Sequence, residues 1–208
     1  MTVSPALEWQ QRLRAAASPA ALLAVVHECV QHSDQPEVIP LLIEVLGYNN
    51  PAAAQVALQG LVRAGRQAVP ELLQRLDGYN YGARAYAVRA LAQIGDPRAL
   101  TVLQTAARSD FAPSVRRAAL RGLGNLYWQD VPEPYPAQVA VLATLEEVSR
   151  DEDWGIRYAV IVAVELWQQQ GVPDALRPRL VHLLHRLSQD EDPVVQARAQ
   201  WSLHRQEK

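Results

Sequence analysis

Residues 115–123, Val-Arg-Arg-Ala-Ala-Leu-Arg-Gly-Leu, contain the pattern that decides the fold: an apolar residue, an arginine, and small or apolar residues three and six positions after the arginine. Related stretches begin at Ala83 and Ile156, one at Val195 carries Gln in place of the arginine, and one at Ala53 carries Ala. The copies lie about 30, 32, 41 and 39 residues apart, an interval typical of helical repeats. The sequence therefore predicts an all-α fold, a right-handed α-solenoid of about five helical-hairpin repeats.

Composition limits the classes of protein that this chain can represent. Its 208 residues, 49% of them hydrophobic and 6% aromatic, suit close-packed helices in a single domain over residues 1–208. The net charge of −2, with acids and bases interspersed, predicts no nucleic-acid partner. Cys29 is the only cysteine, which favours a cytoplasmic location. The apolar stretches are too short to span a membrane, and the N-terminus lacks the pattern of a signal peptide.

The helices themselves can be placed from apolar periodicity and from the Gly and Pro residues between them. An amphipathic opening helix over residues 1–17 precedes a second helix that begins at Ser18-Pro19. Three prolines between Gln129 and Pro136 predict a stiff insert, because proline removes a helical hydrogen bond. The predicted pairs are 38–46 with 52–64, 69–76 with 83–94, 99–108 with 114–128, 139–149 with 155–170, and 178–188 with 194–205. Such pairs predict repeats of the HEAT-like type.

Acidic residues and arginines recur at matched positions of these repeats. Each acid of one set lies just before a predicted helix, where a carboxylate can accept unpaired N–H groups: Asp110, Asp153 and Asp192. Each arginine of the other set lies near the start of the second helix of a pair: Arg84, Arg116 and Arg157. We expect these arginines to reach an aspartate of the adjacent repeat, a structural role that would compete with ligand binding.

Reactive and metal-binding side chains are sparse. His182 and His185 lie three positions apart on one predicted helix, but no third ligand is close in the sequence, so surface histidines are favoured over a metal site. Cys29 falls in an apolar stripe and is interpreted as a buried side chain rather than a nucleophile. The sequence thus predicts neither a metal centre nor covalent catalysis by this chain.

The turn at Tyr79-Asn80-Tyr81 is the unusual segment, because a repeat turn does not need two tyrosines around an asparagine. Two interpretations stay open: a packed turn with Asn-type backbone bonding, and contact with a ligand through ring stacking, hydrogen bonds and the nearby Arg84. Trp128 and Trp154 lie at repeat edges, where core packing is the default and an exposed ring would indicate a binding wall.

Residues 77–91 and 94–97, followed by Asp110-Phe111-Ala112 and Ser114-Val115-Arg116-Arg117-Ala118-Ala119, make the sequence specific. These stretches resemble the F-type subunits of the heterodimeric phycobilin lyases, and the resemblance covers most of the chain. It implies a partner, the E-type lyase subunit, and a reaction that attaches phycocyanobilin to a cysteine of the phycocyanin alpha subunit. Related isomerising subunits carry a His-Cys motif near the turn, whereas Tyr79, Asn80 and Tyr81 stand here, which implies plain attachment.

The resemblance also implies roles for particular residues. The lyase would bind, position and shield the bilin, a bound substrate rather than a cofactor. Asp110 is the candidate catalytic carboxylate, because a carboxylate near the pyrrole nitrogens favours the protonated, more electrophilic bilin. The candidate ligand-binding residues would stack on the rings or pair with the propionates: Tyr79, Asn80, Tyr81, Arg84, Arg116, Trp128, Trp154 and Arg157.

Two further functions remain open at this point. One is a non-enzymatic chaperone, scaffold or degradation adaptor of phycobiliproteins, and the other is a generic protein–protein adaptor. Without its partner subunit, a repeat protein of this kind can also self-associate into a homodimer through the uncovered patch. Covalent transfer of pigment separates the lyase from both alternatives.

Overall fold

The computed structural model describes residues 5–76 and 81–205. Within them the chain forms α-helices and short 3₁₀ turns and no β-strand, which confirms the all-α prediction. Most helices follow one another as hairpins, as the repeat pattern predicts. The α-helices are α1 (Pro5–Ala15), α2 (Pro19–Gln31), α3 (Ile39–Leu46), α4 (Pro51–Ala64), α5 (Val69–Arg75), α6 (Tyr81–Ile94), α7 (Leu100–Ser109), α8 (Pro113–Gly124), α9 (Tyr135–Val148), α10 (Trp154–Gln170), α11 (Arg177–Leu187) and α12 (Pro193–His204).

The chain divides into two compact units, and the first is Met1–Ile94. In it α2 packs on α4 and α4 packs on α6, while α3 packs against α4 from the other layer. The core between these layers is made of fully buried leucines, among them Leu42, Leu58 and Leu61. Their regular spacing along α3 and α4 is what the apolar periodicity of the sequence encodes.

The second unit, Gly95–Lys208, holds three hairpins: α7 with α8, α9 with α10, and α11 with α12. The second helices of the hairpins form one layer, in which α10 packs between α8 and α12. Gly124 permits the close approach of α8 and α10, because a Cβ at this position would lie 2.1 Å from the carbonyl oxygen of Ala163. This glycine, directly after the repeat pattern, therefore sets how closely two neighbouring hairpins pack.

Side-chain caps define where several helices begin. The hydroxyl of Ser18 accepts the N–H of Ala21 at the start of α2. Asp153 and Asp192 occupy the N-cap positions of α10 and α12 and accept the N–H groups of Gly155 and of Val194 and Val195, as predicted. Carboxylates at these positions satisfy donors that the first helical turn leaves unpaired and interact favourably with the helix dipole.

Asp110 does not cap α8, and this part of the prediction is wrong. The N-cap of α8 is Ala112, which makes no side-chain cap, and Asp110 lies two residues earlier, where it ends α7. Its carboxylate instead accepts the N–H of Ala112 at 3.0 Å, closing a small turn between the two helices. The reason is its position in the sequence: the aspartate lies two residues before the N-cap, too early to reach the first N–H groups of α8.

The stretch between α8 and α9 also differs from the prediction. We expected a helix over 114–128, but α8 ends at Gly124, and the N–H of Asn125 makes the last bonds back to the helix, to the carbonyls of Arg121 and Gly122. Two residues later the N–H of Tyr127 donates to the carbonyl of Gly95 at 2.8 Å, which holds the chain away from a helical path. At the other end α9 begins at Tyr135 rather than at residue 139, since Pro136 occupies the first helical turn, where proline is tolerated.

The chain forms these two compact units, and a single domain over residues 1–208 stays a prediction. In the described residues, no helix has both the length and the apolar character needed to cross a bilayer.

Candidate functional site

A ladder of arginines and aspartates runs along one edge of the second unit, and Arg157 is its most buried member. The Nε of Arg157 donates to one carboxylate oxygen of Asp190 at 2.9 Å, and its Nη2 donates to the other at 2.7 Å. A third guanidinium nitrogen donates to the carbonyl of Asp151 at 2.8 Å. Both charged side chains are only 7% exposed. The ion pair therefore joins two adjacent repeats from within the protein rather than on its surface.

Arg116 makes the equivalent contact one repeat earlier. Its guanidinium pairs with the carboxylate of Asp151 and donates to the carbonyl of Ala107. Asp151 and Asp190 also accept the N–H of the residue two positions later, as Asp110 does. The predicted pairing with an aspartate of the adjacent repeat is confirmed for Arg116 and Arg157. Their predicted role in propionate binding stays a prediction, and a ligand would have to compete with these aspartates.

Asp110 holds the same repeat position as Asp151 and Asp190. It is partly buried, and the N–H of Ala112 occupies one of its oxygens. This equivalence gives Asp110 a clear structural role, and its assignment as the catalytic carboxylate stays a prediction.

The structure describes only one residue of the Tyr79-Asn80-Tyr81 turn. Tyr79 and Asn80 lie outside the described residues, and Tyr81 begins α6 with its ring 43% exposed. Arg84 follows one turn later and is partly buried. On the same helix the guanidinium of Arg89 lies 5.8 Å from the ring centre of Tyr86. The first unit therefore presents tyrosines and arginines on α6, and their contact with a ligand stays a prediction.

The two tryptophans singled out from the sequence have different environments. Trp128 is 8% exposed and packs into the core of the second unit, the default interpretation for a repeat edge. Trp154, the first residue of α10, is 49% exposed. By the criterion of exposure Trp154 can contribute to a binding wall, whereas Trp128 would need a rearrangement to reach a ligand. Neither assignment is tested further by the structure.

The structure reveals a second surface that the sequence patterns did not single out. It is formed by exposed or half-exposed side chains of α8, α10 and α12, and we call it the open face: Arg117, Arg121, Tyr158, Arg198 and Trp201. The guanidinium of Arg117 lies 3.5 Å from the point that a Cβ on Gly155 would occupy, next to α10. Arg121 lies one turn further along α8, on the same side.

Arg198 organises the other half of the open face. Its guanidinium pairs with the carboxylate of Glu165 and lies 5.7 Å from the ring centre of Tyr158 and 4.5 Å from that of Trp201. Arg205 lies 4.8 Å from the same Trp201 ring. Flat rings held by guanidinium groups form a rigid, partly apolar and positively charged surface. Such a surface suits a planar ligand that carries carboxylates.

One sequence signal could have identified part of this face. Arg117 and Tyr158 each stand one position after a ladder arginine, and Arg121 stands four positions after Arg117. Helical geometry places consecutive residues about 100° apart, so these side chains leave the ladder edge and point along a different side of the layer.

The remaining reactive groups do not form a catalytic centre. Cys29 is fully buried in α2, and burial, together with the negative charge of Glu28, raises the pKa of its thiol to about 11. A thiol in this state is a poor nucleophile at neutral pH, as predicted. His182 and His185 are exposed on α11. In the part of the chain that the structure describes, no three His, Cys, Asp or Glu side chains are placed to hold a metal ion.

Comparison with known proteins agrees with this geometry. A family model described as HEAT repeats matches residues 39–124, 69–164 and 106–204. The chain is 50% identical to the phycocyanobilin lyase subunit beta of Thermosynechococcus vestitus over 194 residues, which are 91% of this chain and 91% of that protein. It is 42% identical over 203 residues to the phycocyanin alpha phycocyanobilin lyase CpcF of Synechocystis sp., covering 97% of this chain and 94% of that one.

A solved structure gives the same answer at the level of the fold. The complex of CpcE and CpcF of phycocyanin lyase from Nostoc sp. PCC7120 contains a chain that is 48% identical to this one and superposes with a TM-score of 0.73. The match covers 81% of this chain and 99% of that chain. Identity at this level over nearly the whole length shows that this chain belongs to the HEAT-repeat family of phycocyanobilin lyase beta subunits, the F-type subunits.

Proposed function

We propose that this chain is the beta, or F-type, subunit of a heterodimeric lyase that attaches phycocyanobilin to a cysteine of the phycocyanin alpha subunit. The observation that carries the proposal is the 50% identity to a phycocyanobilin lyase subunit beta across 91% of both chains. The partner is an E-type subunit, as in the solved complex of CpcE and CpcF. The site of action is the cyanobacterial cytoplasm, near the phycobilisomes.

The proposed reaction forms one carbon–sulfur bond. The thiolate of the acceptor cysteine adds to the exocyclic carbon of the ethylidene group on ring A, the electron pair of that double bond moves into the conjugated bilin, and a proton neutralises the charge. Nothing leaves and nothing is oxidised, so the reaction needs no resident cofactor. The contribution of the lyase is to hold the flexible bilin in one conformation and to exclude other thiols and water.

The open face is suited to this work. In the proposal Arg117 and Arg121 pair with one propionate, because a guanidinium binds a carboxylate through two parallel hydrogen bonds. Tyr158 and Trp201 offer rings for stacking against the pyrroles. The bilin contacts expected for Tyr79, Asn80, Tyr81 and Arg84, and the protonating role expected for Asp110, stay predictions.

Cys29 takes no part in the proposed reaction. Its thiol is fully buried and its pKa is raised to about 11, so it is poorly suited to hold the bilin covalently. The bilin passes directly from a non-covalent complex with the lyase to the acceptor cysteine.

The experiment that tests the proposal is reconstitution by co-expression. This chain, an E-type subunit, phycocyanobilin and the phycocyanin alpha subunit are combined, and pigment that survives denaturation on the alpha subunit is detected by zinc-enhanced fluorescence in a gel. We expect pigment only when both lyase subunits are present, with the absorption of plain attachment rather than of an isomerised bilin. A stable complex with both protein partners but no covalent pigment would favour the scaffold or degradation adaptor instead.

A further inference from the structure

A groove of about 420 Å³ lies at the C-terminal end of the open face, between α10, α11 and α12. Leu180 and Val181 contribute apolar side chains to its lining, Trp201 contributes an exposed ring, and Arg177 and Arg205 contribute guanidinium groups. Volumes of about 300–1,000 Å³ with an apolar lining and a few polar groups are typical of small-molecule sites. No role has been assigned to this groove by the patterns or contacts described above.

Two buried polar atoms on the groove residues have no hydrogen-bond partner among the described residues. One is the hydroxyl of Ser202, a residue that is 3% exposed, and the other is Oε1 of Glu165. The second carboxylate oxygen of Glu165 pairs with Arg198. A buried polar atom without a partner destabilises the folded protein, and such atoms in native proteins are few. Both residues line the groove, so these atoms are candidates for contact with a ligand that enters it.

The groove is also positively charged on one side. Arg177 is the first residue of α11 and contributes its guanidinium to this side of the groove. The ion pair of Arg177 with Asp174 is fully at the surface and competes weakly with a ligand. Arg205 lies against the Trp201 ring at 4.8 Å. A carboxylate attached to a flat ring matches these groups.

Resting on the proposed function, we propose that this groove binds the half of phycocyanobilin that does not react. Ring A must stay accessible to the acceptor thiolate, so the opposite half, with ring D and the propionate of ring C, is the part that enters. Arg177 and Arg205 bind the propionate, and Trp201 stacks on the pyrrole plane. The free oxygen of Glu165 accepts a pyrrole N–H, and the hydroxyl of Ser202 donates to an oxygen of the bilin. The reacting half lies along the open face towards Tyr158.

The test measures bilin affinity directly, apart from transfer. The heterodimer of this chain with its E-type partner is titrated with phycocyanobilin and followed by absorbance and induced circular dichroism. We expect Arg177→Ala with Arg205→Ala to weaken binding at least tenfold. The matched control is Arg150→Ala, an exposed arginine outside the groove and the open face, and it should bind as the wild type does. The dimethyl ester of the bilin, which lacks the propionate charges, should bind the wild type as weakly as it binds the double variant.

Ser202→Ala provides a second arm that does not depend on surface charge. Because it removes a buried hydroxyl without a partner, the free protein should be equally stable or more stable, while bilin binding weakens. Unchanged affinity in both the double arginine variant and Ser202→Ala would show that the groove does not bind the bilin, even if the wild-type heterodimer transfers pigment. A wild-type heterodimer that neither binds bilin nor transfers it would overturn the proposed function itself.

Discussion

Arg116 and Arg117 are neighbours in the sequence and have opposite surroundings, as do Arg157 and Tyr158. Arg116 and Arg157 turn into the ladder edge, where an aspartate of the next repeat pairs with each. Arg117 and Tyr158 lie on the open face, at the side of the layer formed by α8, α10 and α12. The ladder edge holds repeats together, and the open face presents charge and rings to the outside. A step of one residue, about 100° of helical rotation, separates a structural arginine from one that can bind a ligand.

The largest effect is expected from breaking the ladder edge with Arg157→Ala. The change removes the two hydrogen bonds to Asp190 and leaves that carboxylate buried without its cation. Loss of one partner of a buried ion pair typically costs about 3–5 kcal/mol. We therefore expect the free energy of unfolding in urea to fall by about that amount.

The matched control for this variant is Arg177→Ala, which also removes an arginine from an Arg–Asp pair. Both side chains of the pair with Asp174 are well exposed, so stability should change by less than about 1 kcal/mol. Equal losses in the two variants would contradict the distinction between the buried ladder and surface ion pairs.

A somewhat smaller effect is expected from Gly124→Ala, which forces α8 away from α10 and so disturbs both surfaces. The new Cβ would meet the backbone of Ala163, which cannot move without displacing the helix. We expect a loss of about 3 kcal/mol, the upper end of ordinary overpacking.

Gly60→Ala in the first unit is the comparison for this change, because its Cβ would meet side-chain atoms of Val30 and Leu42 rather than backbone. Side chains can shift with less disturbance than a helix backbone, so a smaller loss, about 1 kcal/mol, is expected in urea unfolding. If Gly60→Ala were the more damaging change, backbone contact at Gly124 would not be what limits the approach of the helices.

On the open face the expected effect is on binding rather than on stability. Arg117→Ala and Arg121→Ala should leave the free energy of unfolding within about 0.5 kcal/mol of the wild type. Each should weaken phycocyanobilin binding by the heterodimer about tenfold, since a charged hydrogen bond contributes about 1.5–3 kcal/mol. Arg150→Ala is again the control, and bilin titration with urea unfolding separates the two kinds of effect. Wild-type affinity in both variants would remove α8 from the bilin site.

The smallest effect is a dependence of stability on acid that arises at the ladder edge. Burial by itself would raise the pKa of Asp190, but hydrogen bonds from Arg157 and from the N–H of Asp192, with the charge of Arg157, outweigh burial and lower the pKa below 3.8. A lowered pKa in the folded state means that this stabilisation is present above about pH 3.8 and is lost as the pH falls through the folded value.

The free energy of unfolding of the wild type should therefore decline more steeply below about pH 4 than that of Asp190→Asn, which cannot titrate. The amide weakens the pair at neutral pH, so the test is the slope and not the absolute stability. Parallel curves for the two proteins would show that Asp190 contributes nothing to the acid response.

Much of the fold followed from local patterns, and the two missed helix boundaries have separate causes. The repeat interval, the hairpins and the aspartate partners of Arg116 and Arg157 were all predicted, because they depend on periodicity and on contacts that recur at a fixed spacing. The end of α8 and the start of α9 were placed wrongly. They depend on the hydrogen bond from Tyr127 to Gly95, two residues far apart in the sequence, and on a proline in the first helical turn.

The candidate site, too, was predicted from the sequence only in part. The resemblance identified the family, and the motifs identified the turn at Tyr81 and Arg84, but the open face and its groove were not foreseen. Arg198 and Trp201 belong to no motif, and Arg117 was not singled out within its motif, because the surroundings of each depend on the helix beside it. Ser202 occupies a small-residue position of the repeat pattern, so its buried, unpartnered hydroxyl could not be distinguished in the sequence from ordinary helix packing.

Helical periodicity, the spacing of the repeats and the family likeness were therefore settled by the order of the residues, since each depends on positions a few residues apart or on motifs that survive in relatives. Which arginines are neutralised and which remain available, and where a groove opens between α10, α11 and α12, were decided by packing. The physical reason is that charge pairing and burial are properties of neighbours in space. Residues more than thirty positions apart become such neighbours only after the hairpins have stacked.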